Sequence, residues 1–188
     1  VRASDGTEFS KRKGNGADPV DVIDSGYGAD ALRLYHMFAA PLEVNSRWDP
    51  QGVPSMYRFL NRVWNIVQEY VETDDTEVEE KTVKQIKIAN SQMVKKVTED
   101  IEQNRYNTAI AAMMEYLNNL TKAKSSGFGK SGVWQVALES LVACLAPFAP
   151  HITEELWHDL GHSTTVHIDT WPEWWEEYLV ADTIKIAV

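Results

Sequence analysis

Lys11, Arg12 and Lys13 follow one another directly, with Ser10 before them and Gly14, Asn15 and Gly16 after. Adjacent cations on a glycine-bearing backbone put positive charge where the chain can bend close to an anion, which is phosphate-loop chemistry. Asp18-Pro19 ends the loop, because proline fixes its own φ and turns the preceding residue away from helical geometry. Other groupings carry less. Gly129-Lys130-Ser131 has the ending of a P-loop, but Lys124 stands where that motif needs glycine, and a helical pattern rather than a strand precedes it. His158 and His162 have the spacing of helical metal ligands, with His151 and His167 nearby, yet Gly161 interrupts the helix and no cysteine is close, so no metal site is assigned. Trp171, Trp174 and Trp175 lie in a stretch without basic residues and are read as packing a tail against a core rather than stacking bases.

The elements that must position the loop are helices. Ala31, Leu32, Leu34, Tyr35 and Phe38 suit a buried helix starting at Ala29, with Asp30 in its first turn, where negative charge is favoured. Turn formers between Pro41 and Pro54 mark a connection. Three long stripes follow: Met56 to Val71, with Arg58 and Arg62 on another face; Ile86 to Ile101, ringed by lysines; and Tyr106 to Leu120. Lys122–Lys130 mixes glycine, serine and lysine and reads as a mobile linker that disfavours helix. Ser131 is placed to cap the next helix, Val133 to Leu145, which is apolar nearly all round and belongs in the middle of a bundle. Pro147 and Pro150 break it, and a last helix restarts at Thr153 and runs to Leu160. Val166–Ile168 and Ile184–Val188 read as short strands. The fold expected is all-α: an antiparallel helix bundle with a flexible N-terminal loop segment and a short C-terminal strand tail.

Composition bounds the function. At 188 residues, 44% apolar and 10% aromatic, the chain can bury one good core. Cys144 is the single cysteine and sits in an apolar run, where it packs and cannot form an internal disulfide. No apolar run is long enough to cross a bilayer, so the expectation is a soluble, cytoplasmic monomer. A formal net charge of −10 argues against indiscriminate nucleic-acid binding, and any RNA contact must be local.

Ser10-Lys11-Arg12-Lys13-Gly14-Asn15 with Asp18-Pro19, followed by Gly28-Ala29-Asp30-Ala31-Leu32-Arg33, resembles the KMSKS region of class I aminoacyl-tRNA synthetases. Tyr35-His36-Met37-Phe38, Pro41-Leu42-Glu43, Tyr57 to Trp64, Phe148 to His151 and Glu154 to Trp157 are similar to the leucyl members. The resemblance implies a KMSKS-like loop and connecting helix over 1–40, a helical anticodon-binding bundle over 41–162, and a tail over 163–188 leading toward a further C-terminal domain. It implies that the parent is a leucine–tRNA ligase, in which leucine and ATP, with magnesium, give leucyl-adenylate and pyrophosphate before the leucyl group passes to leucine tRNA. The ATP-binding residues it implies are Ser10, Lys11, Arg12, Lys13, Gly14 and Asn15, with Lys11 matching the family's second lysine. Glu8, Phe9 and Arg12 depart from the motif, and a carboxylate at position 8 repels phosphate. The family's His-Ile-Gly-His signature and zinc cysteines do not occur, so no catalytic residue is assigned and the chain by itself is expected to be inactive. The basic residues expected to touch tRNA are Arg58, Arg62, Lys84, Lys87, Lys95, Lys122, Lys124 and Lys130. The rival reading is a stand-alone helical module that holds tRNA or a protein without chemistry.

Overall fold

Proline at position 19 starts the first helix, where its missing N–H costs nothing, and the Asp18 carboxylate accepts from Val20 N at 2.9 Å. The computed structural model describes residues 2–10, 12–16, 18–41 and 43–179. Helix α1 (Pro19–Val22) runs through a π-helical turn, Ile23–Tyr27, into α2 (Gly28–Phe38). Gly26, at φ 95°, supplies the left-handed backbone that bends the chain between them. Then come α3 (Gly52–Glu72), α4 (Glu80–Glu102), α5 (Tyr106–Ala123), α6 (Gly132–Leu145) and α7 (Pro150–Asp159). Gly52 opens α3 against the Tyr35 ring, which an added Cβ would meet at 2.1 Å.

The bundle follows the predicted stripes. Met56, Phe59, Leu60, Val63, Val67 and Tyr70 are buried on α3; Ile86, Met93 and Val97 on α4; Ala109, Ile110, Met113, Leu117 and Leu120 on α5. Helices α4 and α5 form an antiparallel hairpin closed at Asn104, which takes φ 56°, a conformation asparagine tolerates at a helix C-terminus. Helix α6 lies against α4, α5 and α7, with Trp134, Leu138, Leu141 and Leu145 fully enclosed. Among the described residues no helix is long and apolar enough to cross a membrane.

Several local expectations are corrected. Val166–Ile168 is a 3-10 turn, not a strand: Glu154 on α7 accepts from the Thr165 hydroxyl at 2.8 Å and from Val166 N at 3.1 Å, so the backbone is satisfied without a partner strand. The strand expected at Ile184–Val188 lies outside the described residues. Among the described residues β pairing is confined to isolated bridges, Arg2 with Arg47 and Asp75 with Lys130. The Lys122–Lys130 segment is not free of helix. Helix α5 continues to Ala123, Lys124–Ser126 adds a 3-10 turn, and Phe128 packs edge-on against Trp134 at 4.8 Å. Ser131 holds the N-cap position of α6, but its hydroxyl donates to Gly129 O instead of accepting from the helix. Helix α7 begins at Pro150, before Thr153.

That earlier start has a distant cause. Asp30, only 7% exposed, accepts from His151 N at 3.0 Å and Ile152 N at 2.8 Å, capping α7 from another helix. One turn on, Arg33 donates to Pro147 O at 3.1 Å and to Phe148 O at 3.4 Å. Two side chains of α2 therefore hold the α6–α7 corner, donor to acceptor and acceptor to donor. Asp30→Ala is expected to lower stability by roughly 2–3 kcal/mol, the scale of a cap whose acceptor is charged. Urea denaturation measures this, and a loss under about 0.5 kcal/mol, the surface level, would mean that α7 docks without the cap.

Candidate nucleic-acid interface

Asn15 builds the N-terminal loop. Its Oδ1 accepts from Ser10 N at 2.8 Å, and its Nδ2 donates to Thr7 Oγ1 at 3.0 Å and Glu8 O at 3.2 Å. Lys13 N donates to Ser10 O at 3.0 Å, and Gly14 takes φ 60°. The loop closes on its own polar groups and leaves Arg12 and Lys13 exposed, with Glu8 also at the surface. Lys11 lies outside the described residues.

The basic residues expected to meet RNA fall on three separate surfaces. Arg58 and Arg62 lie on the outer face of α3, where Arg58 donates to Ser55 Oγ at 2.8 Å and Arg62 reaches Asn118 of α5 at 2.7 Å. Tyr57, Asn61 and Asn65 are exposed at helical spacing beside them, and Tyr57 meets Tyr27 edge-on at 5.5 Å, which joins this face to the segment leading from the loop. These neighbours were not singled out from sequence. The signal that would have found them is negative: residues 51–68 contain no aspartate or glutamate in an otherwise acidic chain. Cations, amides and an aromatic ring without carboxylates make a surface that accepts phosphate and ribose.

The α4 lysines are differently placed. Lys84 is exposed, but Lys87 lies 5.9 Å from the centre of the Tyr178 ring and Lys95 pairs with Glu176 at 3.6 Å. Between them Ser91 Oγ accepts from Trp175 N at 3.3 Å, so the tail crosses the ridge these lysines form. Trp171 donates to Thr98 Oγ1 at 2.8 Å and fastens the same tail farther along α4. On the third surface Lys124 pairs with Glu69 and sits 4.7 Å from the Phe128 ring centre. Lys130 exchanges backbone hydrogen bonds with the Asp74–Thr76 strip, Lys130 N to Asp74 O at 3.0 Å and Thr76 N to Lys130 O at 3.1 Å, while Lys122 is exposed. The structure thus brings Arg58 and Arg62 together with open neighbours and leaves the other lysines scattered or partnered.

The model of the family described as anticodon-binding domain of tRNA ligase matches residues 84–188. The chain belongs to this family. A second model, tRNA synthetases class I (I, L, M and V), matches residues 1–49. Among curated proteins the chain is similar to the leucine–tRNA ligase of Syntrophobacter fumaroxidans, 38% identical over 98% of this chain and 23% of that protein. It is similar also to those of Rippkaea orientalis, 40% identical over 96% of the chain and 21% of the protein, and Deinococcus radiodurans, 40% over 100% and 22%. Among solved structures it superposes, with a TM-score of 0.85 and 31% identity, on the ternary complex of Agrobacterium radiobacter K84 agnB2 LeuRS with tRNA and LeuAMS, covering 95% of this chain and 23% of that one. The chain spans less than a quarter of the length of these relatives.

Within an anticodon-binding-type bundle, a tail lying over the α4 lysines separates covered cations from open ones. Replacing Trp175 by Ala together with Glu176→Gln is expected to speed amine acylation of Lys87 and Lys95 by roughly two- to fivefold, the scale of a weak, solvent-exposed contact. Lys84 serves as the internal reference. Mass-spectrometric labelling rates that stay unchanged at Lys87 and Lys95 would show that the tail does not cover the ridge.

Proposed function

We propose that this chain is the tRNA-binding helical portion of a leucine–tRNA ligase, and that the acid-free face of α3 around Arg58 and Arg62 is its main RNA contact. The observation that carries the reading is this face: two arginines, two asparagines and a tyrosine in helical register in a chain of net charge −10. The likeness to leucine–tRNA ligases along nearly the whole chain supports the parent assignment. Contacts of this kind are to phosphate and ribose, which read the shape of the tRNA body rather than its anticodon. Lys84 and Lys122, exposed and away from this face, add attraction at the periphery, while Lys95 and Lys124 are taken up by Glu176 and Glu69.

In the intact ligase, ATP with its magnesium is a substrate, and the Ser10–Asn15 loop is the part of this chain that reaches it. Negative charge grows on the departing pyrophosphate as the leucyl adenylate forms. Lys11 with Arg12 and Lys13 offers cations to that charge, and a donor aimed at developing charge lowers the barrier more than it tightens substrate binding. Asn15 closes the backbone of this loop through its bonds to Ser10 N and Glu8 O. Leucine recognition belongs to other parts of the ligase.

Labelled leucine tRNA titrated at several salt concentrations tests the RNA face. Binding by this chain is expected to be weak, to fall with salt along a slope equivalent to about two to four neutralised phosphates, and to ignore a changed anticodon. Arg58→Glu with Arg62→Glu should reduce affinity by about tenfold or more, while Lys122→Glu with Lys124→Glu should change it less than threefold, as expected of peripheral charges. Unaltered binding in the arginine variant would remove the α3 face, and anticodon dependence would overturn the leucyl assignment. In the intact ligase Lys11→Ala should slow pyrophosphate exchange by roughly a hundred- to a thousandfold with little change in leucine KM. An effect confined to leucine KM would remove the loop from the activation step.

A further inference from the structure

Residues 81–98 of α4 contain five lysines and no aspartate or glutamate, the same acid-free composition that marks the α3 face. Lys84, Lys87, Ser91, Lys95 and Thr98 follow one another at intervals of three and four, so they share one side of the helix, and Lys84 to Lys95 spans about 16 Å at 1.5 Å per residue. Lysines are normally left to water, but here the tail lies along the row. Trp171 Nε1 donates to Thr98 Oγ1 at 2.8 Å and Trp175 N donates to Ser91 Oγ at 3.3 Å. Glu176 Oε1 stands 3.6 Å from Lys95 Nζ, and the Tyr178 ring centre lies 5.9 Å from Lys87 Nζ. Ser91 is 0% exposed beneath this cover. From Thr164 to Tyr178 the tail has four carboxylates, Asp169, Glu173, Glu176 and Glu177, and neither lysine nor arginine.

We propose that this row is a second surface for an RNA backbone, and that the acidic tail holds it closed until an RNA strand takes the tail's place. The inference rests on the reading of the chain as a tRNA-binding bundle. What the tail offers the row is what a strand offers: an anion beside one lysine and a flat ring beside another, where RNA brings a phosphate and a base. The two ends of the tail are held differently. The Trp171 indole fastens one end to Thr98, whereas Trp175 is 43% exposed and the Glu176 side chain 73% exposed, and an ion pair so open to water is worth little. Successive phosphates reach Lys84 as well as Lys87 and Lys95, so a strand engages more of the row than one carboxylate does. The tail therefore lifts from its Trp175–Tyr178 end and stays tethered at Trp171.

Labelled leucine tRNA, titrated over several salt concentrations, compares the 188-residue chain with an opened form carrying Trp175→Ala, Glu176→Gln and Tyr178→Ala. None of these three residues belongs to the buried core, so the opened form keeps the bundle. Opening is expected to steepen the salt dependence by about one to two phosphates and to tighten binding at about 50 mM salt by roughly three- to tenfold. Glu155→Gln, exposed on α7, makes the same change in net charge away from the row and should leave the salt slope as it was. Lys87→Gln with Lys95→Gln should take the gain away from the opened form yet change the intact chain less than about twofold, a coupling that separates covered lysines from free ones. A slope unchanged by opening, in a chain that does bind, would overturn the α4 surface and leave the α3 face standing. A gain matched by Glu155→Gln, or one that survives the lysine substitutions, would reduce the effect to overall charge and overturn it equally. Failure of both forms to bind would overturn the tRNA-binding reading along with it.

Discussion

The interaction on which the remaining architecture depends is the one between Asp30 and the N-terminus of α7. A helix starting at a proline after an apolar run has unpaired backbone N–H groups and no local side chain to take them, since Ala149 holds the cap position. Asp30 supplies the acceptor across more than a hundred residues of sequence, and Arg33 satisfies the carbonyls of the preceding corner. A buried carboxylate is costly unless its lone pairs are used, and Asp30 uses Oδ2 on two backbone N–H groups and sets Oδ1 3.0 Å from His151 Nδ1, while the exposed Arg33 gives its N–H groups to two carbonyls. The result is that α2, which carries the N-terminal loop, is fixed to the far end of the bundle.

A second set of polar groups does the same for the α4–α5 hairpin. Asp100 is fully buried and accepts from Lys96 at 2.5 Å and from Arg105 Nε at 2.8 Å, while Arg105 N donates to Asp100 O at 2.7 Å. Burial alone would raise the Asp100 carboxyl above the ordinary aspartate range, but hydrogen bonds from Lys96, Thr108 and Arg105 outweigh it and leave the group lowered. A lowered folded value means that its contribution to stability is present above the usual carboxylate range and is lost as acidity protonates it. The hairpin is therefore fastened by charge at the turn and by apolar contact along its length, which fixes the register of α4 and with it the ridge bearing Lys87, Ser91 and Lys95.

Most of the helices were legible from sequence because their cores are periodic: Met56 to Tyr70 and Ala109 to Leu120 repeat at three and four, and nothing in tertiary packing overrides that. The polar members of the core were not legible. Asn90, Ser91 and Asp100 lie on the buried side of α4, where a reading by hydropathy places Ile86, Ala89, Met93, Val97 and Ile101. The partners of Asn90 and Ser91, Tyr116 and the Trp175 amide, come from elsewhere in the chain, whereas Asp100 is held by its near neighbours Lys96 and Arg105, a charge spacing that hydropathy does not weigh. Val166–Ile168 failed as a strand for the same reason, since Glu154 provided bonds that alternation alone would assign to a sheet. The Asp30 motif was legible as a motif but not as a cap: its sequence position suggested a favourable charge at the start of its own helix, whereas its oxygens serve another.

An acidic protein can still offer a surface to RNA if its charges are far enough apart, and the proposal for α3 rests on that separation. The carboxylates cluster at and beyond its C-terminal end, at Glu72, Asp74, Asp75, Glu77, Glu79 and Glu80. Arg58 lies fourteen residues before Glu72 on the same helix, about 21 Å along the axis at 1.5 Å per residue. Exposed charges are screened over roughly 8–10 Å at ordinary ionic strength, so the acidic corner scarcely weakens the field at Arg58. Lys124 is within that range of Glu69, pairs with it, and loses its independence. Pairing takes up the linker lysine, whereas distance and screening leave Arg58 its charge. The position of a cation along α3 and its neighbours, more than the total charge of the chain, sets whether it remains open to a phosphate.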